Sequence, residues 1–146
     1  MIDVGHKPVT ARVARASARL LAAPETIERV RRGALEKGDA LAAARLAGVM
    51  AAKRTADLVP LCHPLPLDSV RVEIRFEDPN AISIETTVAA TARTGVEMEA
   101  LVAATAAALT IYDMSKSIEP GITLERVRLE EKRGGVRGDW SRAPSG

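Results

Sequence analysis

Asp113 and Lys116 stand three residues apart, with Tyr112 just ahead of the acid. If this stretch is helical, positions i and i+3 share a face and the two charges touch. An exposed pair of this kind is an ordinary surface ion pair. A partly buried one keeps Asp113 ionised and poised for proton transfer. Further upstream, Lys37-Gly38-Asp39 sets a cation just before a candidate helix start. Free amide N–H groups there add to the attraction of the lysine for phosphate or carboxylate. Two residues alone give that motif little specificity.

Leu61-Cys62-His63-Pro64-Leu65-Pro66-Leu67 places a polar pair between prolines in a run that is otherwise apolar. Prolines stiffen such a loop, so His63 is either a packed, hydrogen-bonded structural group or a positioned acid, base or anion donor. Glu97 and Glu99 fall where a helix begins, and the helix dipole accounts for carboxylates there; substrate binding is the competing role. Lys53-Arg54 lies at the far end of a helix, where dipole pairing with solvent-facing cations is the ordinary reading. Phosphate-loop, dinucleotide, nucleophile-elbow and zinc-protease motifs are all missing. With two histidines and one cysteine, the ligand arithmetic argues against a tetrahedral zinc site in one chain, and no protein-bound metal or resident cofactor is expected.

These residues need elements to hold them. From Asp68 to Phe76, Val70, Val72, Ile74 and Phe76 alternate with Arg71, Glu73 and Arg75, the pattern of a half-buried strand. Asp78-Pro79-Asn80 turns the chain into a second alternating run, Ile82, Ile84, Thr86 and Val88, completing a hairpin. A third strand-like run, Ile122 to Lys132, shifts its apolar parity between Leu124 and Val127, which predicts a bulge. Helices are expected from Pro24, over Asp39 to Arg54 with Asp39 as N-cap, and from a Thr94-x-x-Glu97 capping box to about Lys116. Thr10 to Leu21 fits either state: its arginines recur at helical spacing, while its small residues alternate. Read as a strand, it puts Arg12 on an otherwise apolar face, where a charge must be paired or point into a site. The order β-α-α-β-β-α-β then predicts an α+β, ferredoxin-like antiparallel sheet with helices packed on one face.

The 146 residues fit one domain, expected over 1–132, with a Gly-, Arg- and Ser-rich mobile tail over 133–146. Lys and Arg total 21 against 19 acids, and the chain holds one Phe, one Tyr and one Trp. That balance and the scarcity of stacking rings argue against nucleic-acid binding. The apolar stretches are broken well short of the ~20 residues a membrane span requires, and the lone Cys62 fits a cytoplasmic setting. Alanine dominates the apolar content and buries little area per residue, so oligomerisation is expected to add stability.

Taken in order, Lys37-Gly38-Asp39, Ala51-Ala52-Lys53-Arg54-Thr55, Pro60-Leu61-Cys62-His63-Pro64, Thr94-Gly95-Val96-Glu97-Met98-Glu99-Ala100 and Ile111-Tyr112-Asp113-Met114-Ser115-Lys116 resemble the cyclic pyranopterin monophosphate synthase family, also called molybdenum cofactor biosynthesis protein C. The resemblance covers nearly the whole chain, with Met1-Ile2-Asp3-Val4 before these blocks and Val127-Arg128-Leu129 after them. It implies a ferredoxin-like subunit in a hexamer of three dimers, with active sites between subunits. It also implies a lyase that converts 3′,8-cyclo-7,8-dihydroguanosine 5′-triphosphate to cyclic pyranopterin monophosphate and pyrophosphate in molybdenum cofactor biosynthesis. On this resemblance Asp113, Lys116 and Lys37 are the catalytic residues, and Leu61, Cys62, His63, Met98 and Glu99 contact substrate. Arg12 and Glu97 also match site positions. Mg²⁺ accompanying the triphosphate would need no protein ligand.

Two departures from the family pattern bear on the site. The short N-terminal extension of many relatives, which carries a further histidine, has no counterpart before Met1 and is not expected in the site. Where the family has Gly-Gly-Lys-Ser-Gly, this chain has Gly134-Gly135-Val136-Arg137-Gly138, with Arg137 one residue beyond the lost lysine. The competing function is a non-catalytic nucleotide-binding or regulatory module on the same fold. It leaves Asp113 and the two glutamates unexplained, because carboxylates repel a polyanion.

Overall fold

Thr10–Leu21 is a strand, β1, and its alternation decides the outcome that propensity left open. Arg12, Ala14, Ala16, Ala18 and Leu20 point into the protein, while Val13, Arg15, Ser17 and Arg19 line the other face. A computed structural model describes residues 1–144 of the chain. After β1 come α1 (Pro24–Arg31), α2 (Ala40–Ala52), a four-residue α3 (Thr55–Leu58), the hairpin β2 (Ser69–Glu77) and β3 (Ala81–Ala92), α4 (Glu97–Ser115), β4 (Thr123–Arg133) and β5 (Trp140–Ser141). The sheet order is β2-β3-β1-β4-β5, with every neighbouring pair antiparallel. The first four strands have the split arrangement expected of a ferredoxin-like α+β fold.

The core lies between one sheet face and the helices. Ala100, Ala103, Ala104, Ala107 and Ala108 of α4 are fully buried, as are Ala14, Ala16 and Ala18 of β1. Methyl groups on both sides let helix and sheet approach closely, and Ile82, Ile84, Val88 and Ile111 fill the remaining volume. The α2–α4 crossing is tighter still: a Cβ on Gly48 would lie 2.8 Å from Val72 Cγ2 and 3.2 Å from the Ala103 carbonyl oxygen. Thr86, buried in β3, donates its hydroxyl to the Ala100 carbonyl at 2.7 Å and so ties α4 to the sheet.

The predicted bulge in β4 is present and doubled. Pairing with β1 skips at Glu130, between the Arg15 and Ala16 partners, and again at Glu125, between the Arg19 and Leu20 partners. Both extra residues aim carboxylates at the polar sheet face, Glu125 toward Arg19 and Glu130 toward Ser17.

Two local expectations change. The Thr94 capping box does not form: α4 starts at Glu97 with Val96 as N-cap and no side-chain cap. Glu97 folds back over Gly95 and pairs with Lys132 of β4, a partner that the i+3 spacing could not reveal. The segment expected as a tail turns through Gly134, Gly135 and Gly138, all at positive φ, and Trp140 and Ser141 pair with Lys132 and Glu131 as β5. Residues 145 and 146 of that expected tail lie outside the described residues.

Candidate active site

Three of the expected residues meet at the C-terminal end of α4. Asp113 occupies the last turn, and Lys116 follows at i+3 with its Nζ 2.7 Å from Asp113 Oδ1. Lys37 arrives from the connection between α1 and α2; its Nζ lies 2.6 Å from Oδ2 and 3.3 Å from the Asp113 carbonyl oxygen. Gly38, at φ +97°, then turns the chain into α2, whose N-cap Asp39 accepts from the Leu41 and Ala42 amides. The hydrogen bonds from Lys116 and Lys37 hold the Asp113 carboxyl down to about 2, and Asp113 in turn raises Lys116. All three side chains remain about half exposed, so the trio is open to an incoming ligand.

The other end of α4 carries a different chemistry. Glu99 is only 2% exposed. Its Oε1 accepts the Cys62 thiol at 3.8 Å, and its Oε2 has no partner among the described residues. Burial raises the Glu99 carboxyl above its ordinary value, and the neighbouring charge of Glu97 adds to the shift. Burial, then the charge of Glu99, also raises the Cys62 thiol.

Glu99 borders a cavity with Lys53, Arg54 and Pro64 to Pro66, while Glu97 is the carboxylate of a separate cavity of about 210 Å³ lined by Lys7, Arg12, Arg93, Lys132 and Arg137. Arg12 is 9% exposed; one Nη donates to the Arg93 carbonyl at 3.2 Å, while Nε has no partner among the described residues. Gly134 and Gly135 pass so close that a Cβ on Gly135 would fall 2.0 Å from the guanidinium. A buried, incompletely paired guanidinium among further cations is a place for phosphate oxygens. His63 lines an adjoining apolar groove with Pro64, Pro66 and Thr91, and shares Arg93 and Thr94 with the cationic cavity.

Within one chain the expected residues thus form two groups. Lys37, Asp113 and Lys116 are joined, and Arg12, Cys62, His63, Glu97 and Glu99 cluster at the opposite end, with Leu61 and Met98 exposed nearby. Sixteen residues of α4 separate Glu97 from Asp113, about 24 Å at helical rise. Sequence reasoning did not single out Lys7, Arg93 and Lys132. The signal that pointed toward them was Arg12 on the apolar face, since a buried guanidinium implies a pocket wall around it. Among the described residues no group of three His, Cys, Asp or Glu side chains is placed to hold a metal ion. No described helix is long and apolar enough to cross a membrane.

The family model described as "MoaC family" matches residues 1–135 of this chain. The chain belongs to the MoaC family. It is 54% identical over 143 residues to the cyclic pyranopterin monophosphate synthase of Thermomicrobium roseum, covering 97% of this chain and 86% of the relative. To the protein of the same name from Herpetosiphon aurantiacus it is 55% identical over 141 residues, covering 96% and 86%. For the Streptomyces coelicolor relative the identity is 53% over 143 residues, covering 98% and 84%. The MoaC match ends at residue 135, just before Val136 and Arg137, and both of these line the cationic cavity.

Proposed function

We infer that this MoaC-family chain is a cyclic pyranopterin monophosphate synthase of molybdenum cofactor biosynthesis, a phosphorus–oxygen lyase. Its substrate is 3′,8-cyclo-7,8-dihydroguanosine 5′-triphosphate, and its products are cyclic pyranopterin monophosphate and pyrophosphate. The observation that carries this reading is the clamp of Asp113 between Lys37 and Lys116. Rearranging a purine–ribose skeleton needs proton transfers beside developing charge, and closing a cyclic phosphate needs cations on the leaving pyrophosphate. Asp113 stays ionised and fixes both ammonium groups, while Lys37 and Lys116 present N–H donors to substrate oxygens and nitrogens. In the second group, Arg12 with Lys7 and Arg137 takes phosphate oxygens. Glu99, buried with one carboxylate oxygen unpartnered among the described residues, faces the heterocycle, and Glu97, Met98, Leu61, Cys62 and His63 shape its pocket.

The two groups act together when a second copy supplies one of them, so the working enzyme is an assembly with sites between subunits, a hexamer of three dimers. Its catalytic domain comprises residues 1–132 together with the segment through β5 that carries Arg137, and the protein works in the cytoplasm on a small molecule, not on nucleic acid. Mg²⁺ can ride on the triphosphate without a protein ligand.

The test incubates purified protein with the cyclic triphosphate and follows the pyranopterin by mass, by fluorescence after oxidation, and by pyrophosphate release. Turnover by wild type and its loss in Lys37→Ala and Asp113→Asn is the expected result. No turnover by wild type, with the triphosphate still bound, would favour the non-catalytic binding module.

A further inference from the structure

The two ammonium groups of the clamp reach Asp113 by different routes. Lys116 follows three residues on at the end of the same helix, so helix geometry alone brings it to the carboxylate. Lys37 has no such help. It comes from the connection that leaves α1, and its Nζ must find both Oδ2 and the carbonyl oxygen of Asp113 across 76 residues of chain. Where Lys37 stands therefore depends on how α1 is fixed against the end of α4.

The start of α1 cannot cap itself. Its N-cap is Ala23, which has no side-chain oxygen. In a capping box the third helical residue is Glu or Gln and receives the N-cap amide, but here that position holds the buried Thr26. The acceptor comes instead from 96 residues further along: Glu119 receives the Ala23 amide with both carboxylate oxygens, at 2.9 and 3.1 Å. Its charge also suits the positive end of the helix. Glu119 lies three residues beyond Lys116, in a turn where the Ile118 and Glu119 amides both donate to the Ser115 carbonyl. The Tyr112 hydroxyl donates to the Pro120 carbonyl at 3.0 Å and pins the same turn to the helix that carries Asp113. α1 is thus attached to the end of α4 through Glu119 at its start and through Lys37 beyond its end, with Ile27, Val30 and Leu35 buried along the way.

We propose that Glu119 is a positioning residue for the lysine clamp: by tying the amide that opens α1 to the turn that follows Lys116, it sets the reach of Lys37 to Asp113. The proposal rests on the lyase reading for its effect on turnover, whereas the placement of Lys37 is measured without substrate.

Glu119→Ala should lower kcat by about 10–10²-fold, the cost of displacing a reacting group by about 1 Å, with a smaller rise in KM. Its Asp113 carboxyl should titrate above the wild-type value and where Lys37→Ala puts it, because Lys116 stays in place. Glu119→Gln keeps an acceptor for the Ala23 amide and should recover most of both readouts. Capping of α1 as such is separated by combining Glu119→Ala with Ala23→Ser, since serine brings its own cap oxygen to the first turn. That double variant should regain the wild-type melting temperature yet keep the low kcat and the raised Asp113 titration. It also carries the test if Glu119→Ala alone does not fold. Recovery of turnover on adding Ala23→Ser, or an Asp113 titration that stays at the wild-type value in either folded variant, would overturn the proposal. An inactive wild type whose Asp113 titration still rises in Glu119→Ala would sink the lyase reading and leave the positioning role standing.

Discussion

Lys37 and Asp113, 76 residues apart in the chain, meet with Nζ 2.6 Å from Oδ2. Lys116 takes the other carboxylate oxygen from one turn further along the same helix. The acid therefore bridges two ammonium groups that would otherwise repel each other, and it holds both at one open surface. The consequences are measurable in turnover, titration, stability and substrate affinity.

Asp113→Asn should lower turnover by about 10²–10⁴-fold, the span typical of disabling positioned proton-transfer groups, since Lys37 and Lys116 lose the carboxylate that fixes them. Lys37→Ala should behave alike, with kcat falling further than KM rises. Exposed ion pairs contribute little to stability, so both variants should keep thermal midpoints close to wild type. Steady-state kinetics beside differential scanning calorimetry checks both statements.

The titration of Asp113 should report its two partners. Its carboxyl carbon resonance should titrate near 2 in wild type and move toward the ordinary value of 3.8 in Lys116→Ala. Because the folded value is depressed, any stabilisation from this clamp is present above the unfolded pKa of 3.8 and lost as pH falls toward about 2. Asp113 therefore stays charged from pH 4 to 9, and an acid limb near neutrality in the rate profile must belong to another group. Carbon-detected NMR across pH 1.5–6 makes the measurement.

Glu99 should show the opposite linkage. Its folded-state pKa is raised, so the folded chain binds more protons than the unfolded one above the ordinary glutamate range, and stability falls as pH rises through that window. Glu99→Gln keeps the shape and removes the titration. It should raise the melting temperature by a few degrees at pH 8, roughly 1 kcal/mol, and much less at pH 4. Equal shifts at the two pH values would mean that Glu99 is not buried as a proton-holding acid.

Gly48→Val should destabilise the chain by about 1–3 kcal/mol, the usual cost of overpacking. Its Cβ meets Val72 at 2.8 Å and the Ala103 carbonyl at 3.2 Å, so α2 must move away from α4. Since α2 carries Lys37 just ahead of its N-terminus, KM should rise as well. Urea denaturation and kinetics on the same sample separate the two effects.

Gly135→Ala should raise KM several-fold with little change in kcat. A methyl group there falls 2.0 Å from the Arg12 guanidinium, and the residue sits at φ +88°, where side chains are strained. The guanidinium must swing out of the cationic cavity. Substrate titration by calorimetry should show the affinity loss directly.

Sequence alone determined those features that local periodicity encodes. The alternation of β2 and β3, the parity break in β4, the Asp39 cap and the i, i+3 contact of Asp113 with Lys116 all follow from spacing within a dozen residues. It also required that Arg12, if on a strand, be paired or aimed into a site. Tertiary structure decided the remainder, because it depends on partners remote in the chain. β1 became a strand when β3 and β4 offered it hydrogen bonds on both edges. Glu97 left the capping box for Lys132, and residues 134–141 returned to the sheet through three glycines at positive φ. Most consequentially, helix length separated Asp113 from Glu99 while helix phase left Asp113 and Lys116 about half exposed, away from the core. Spacing could show that two site residues share a helix, but only the packed chain showed which face of that helix the core left open.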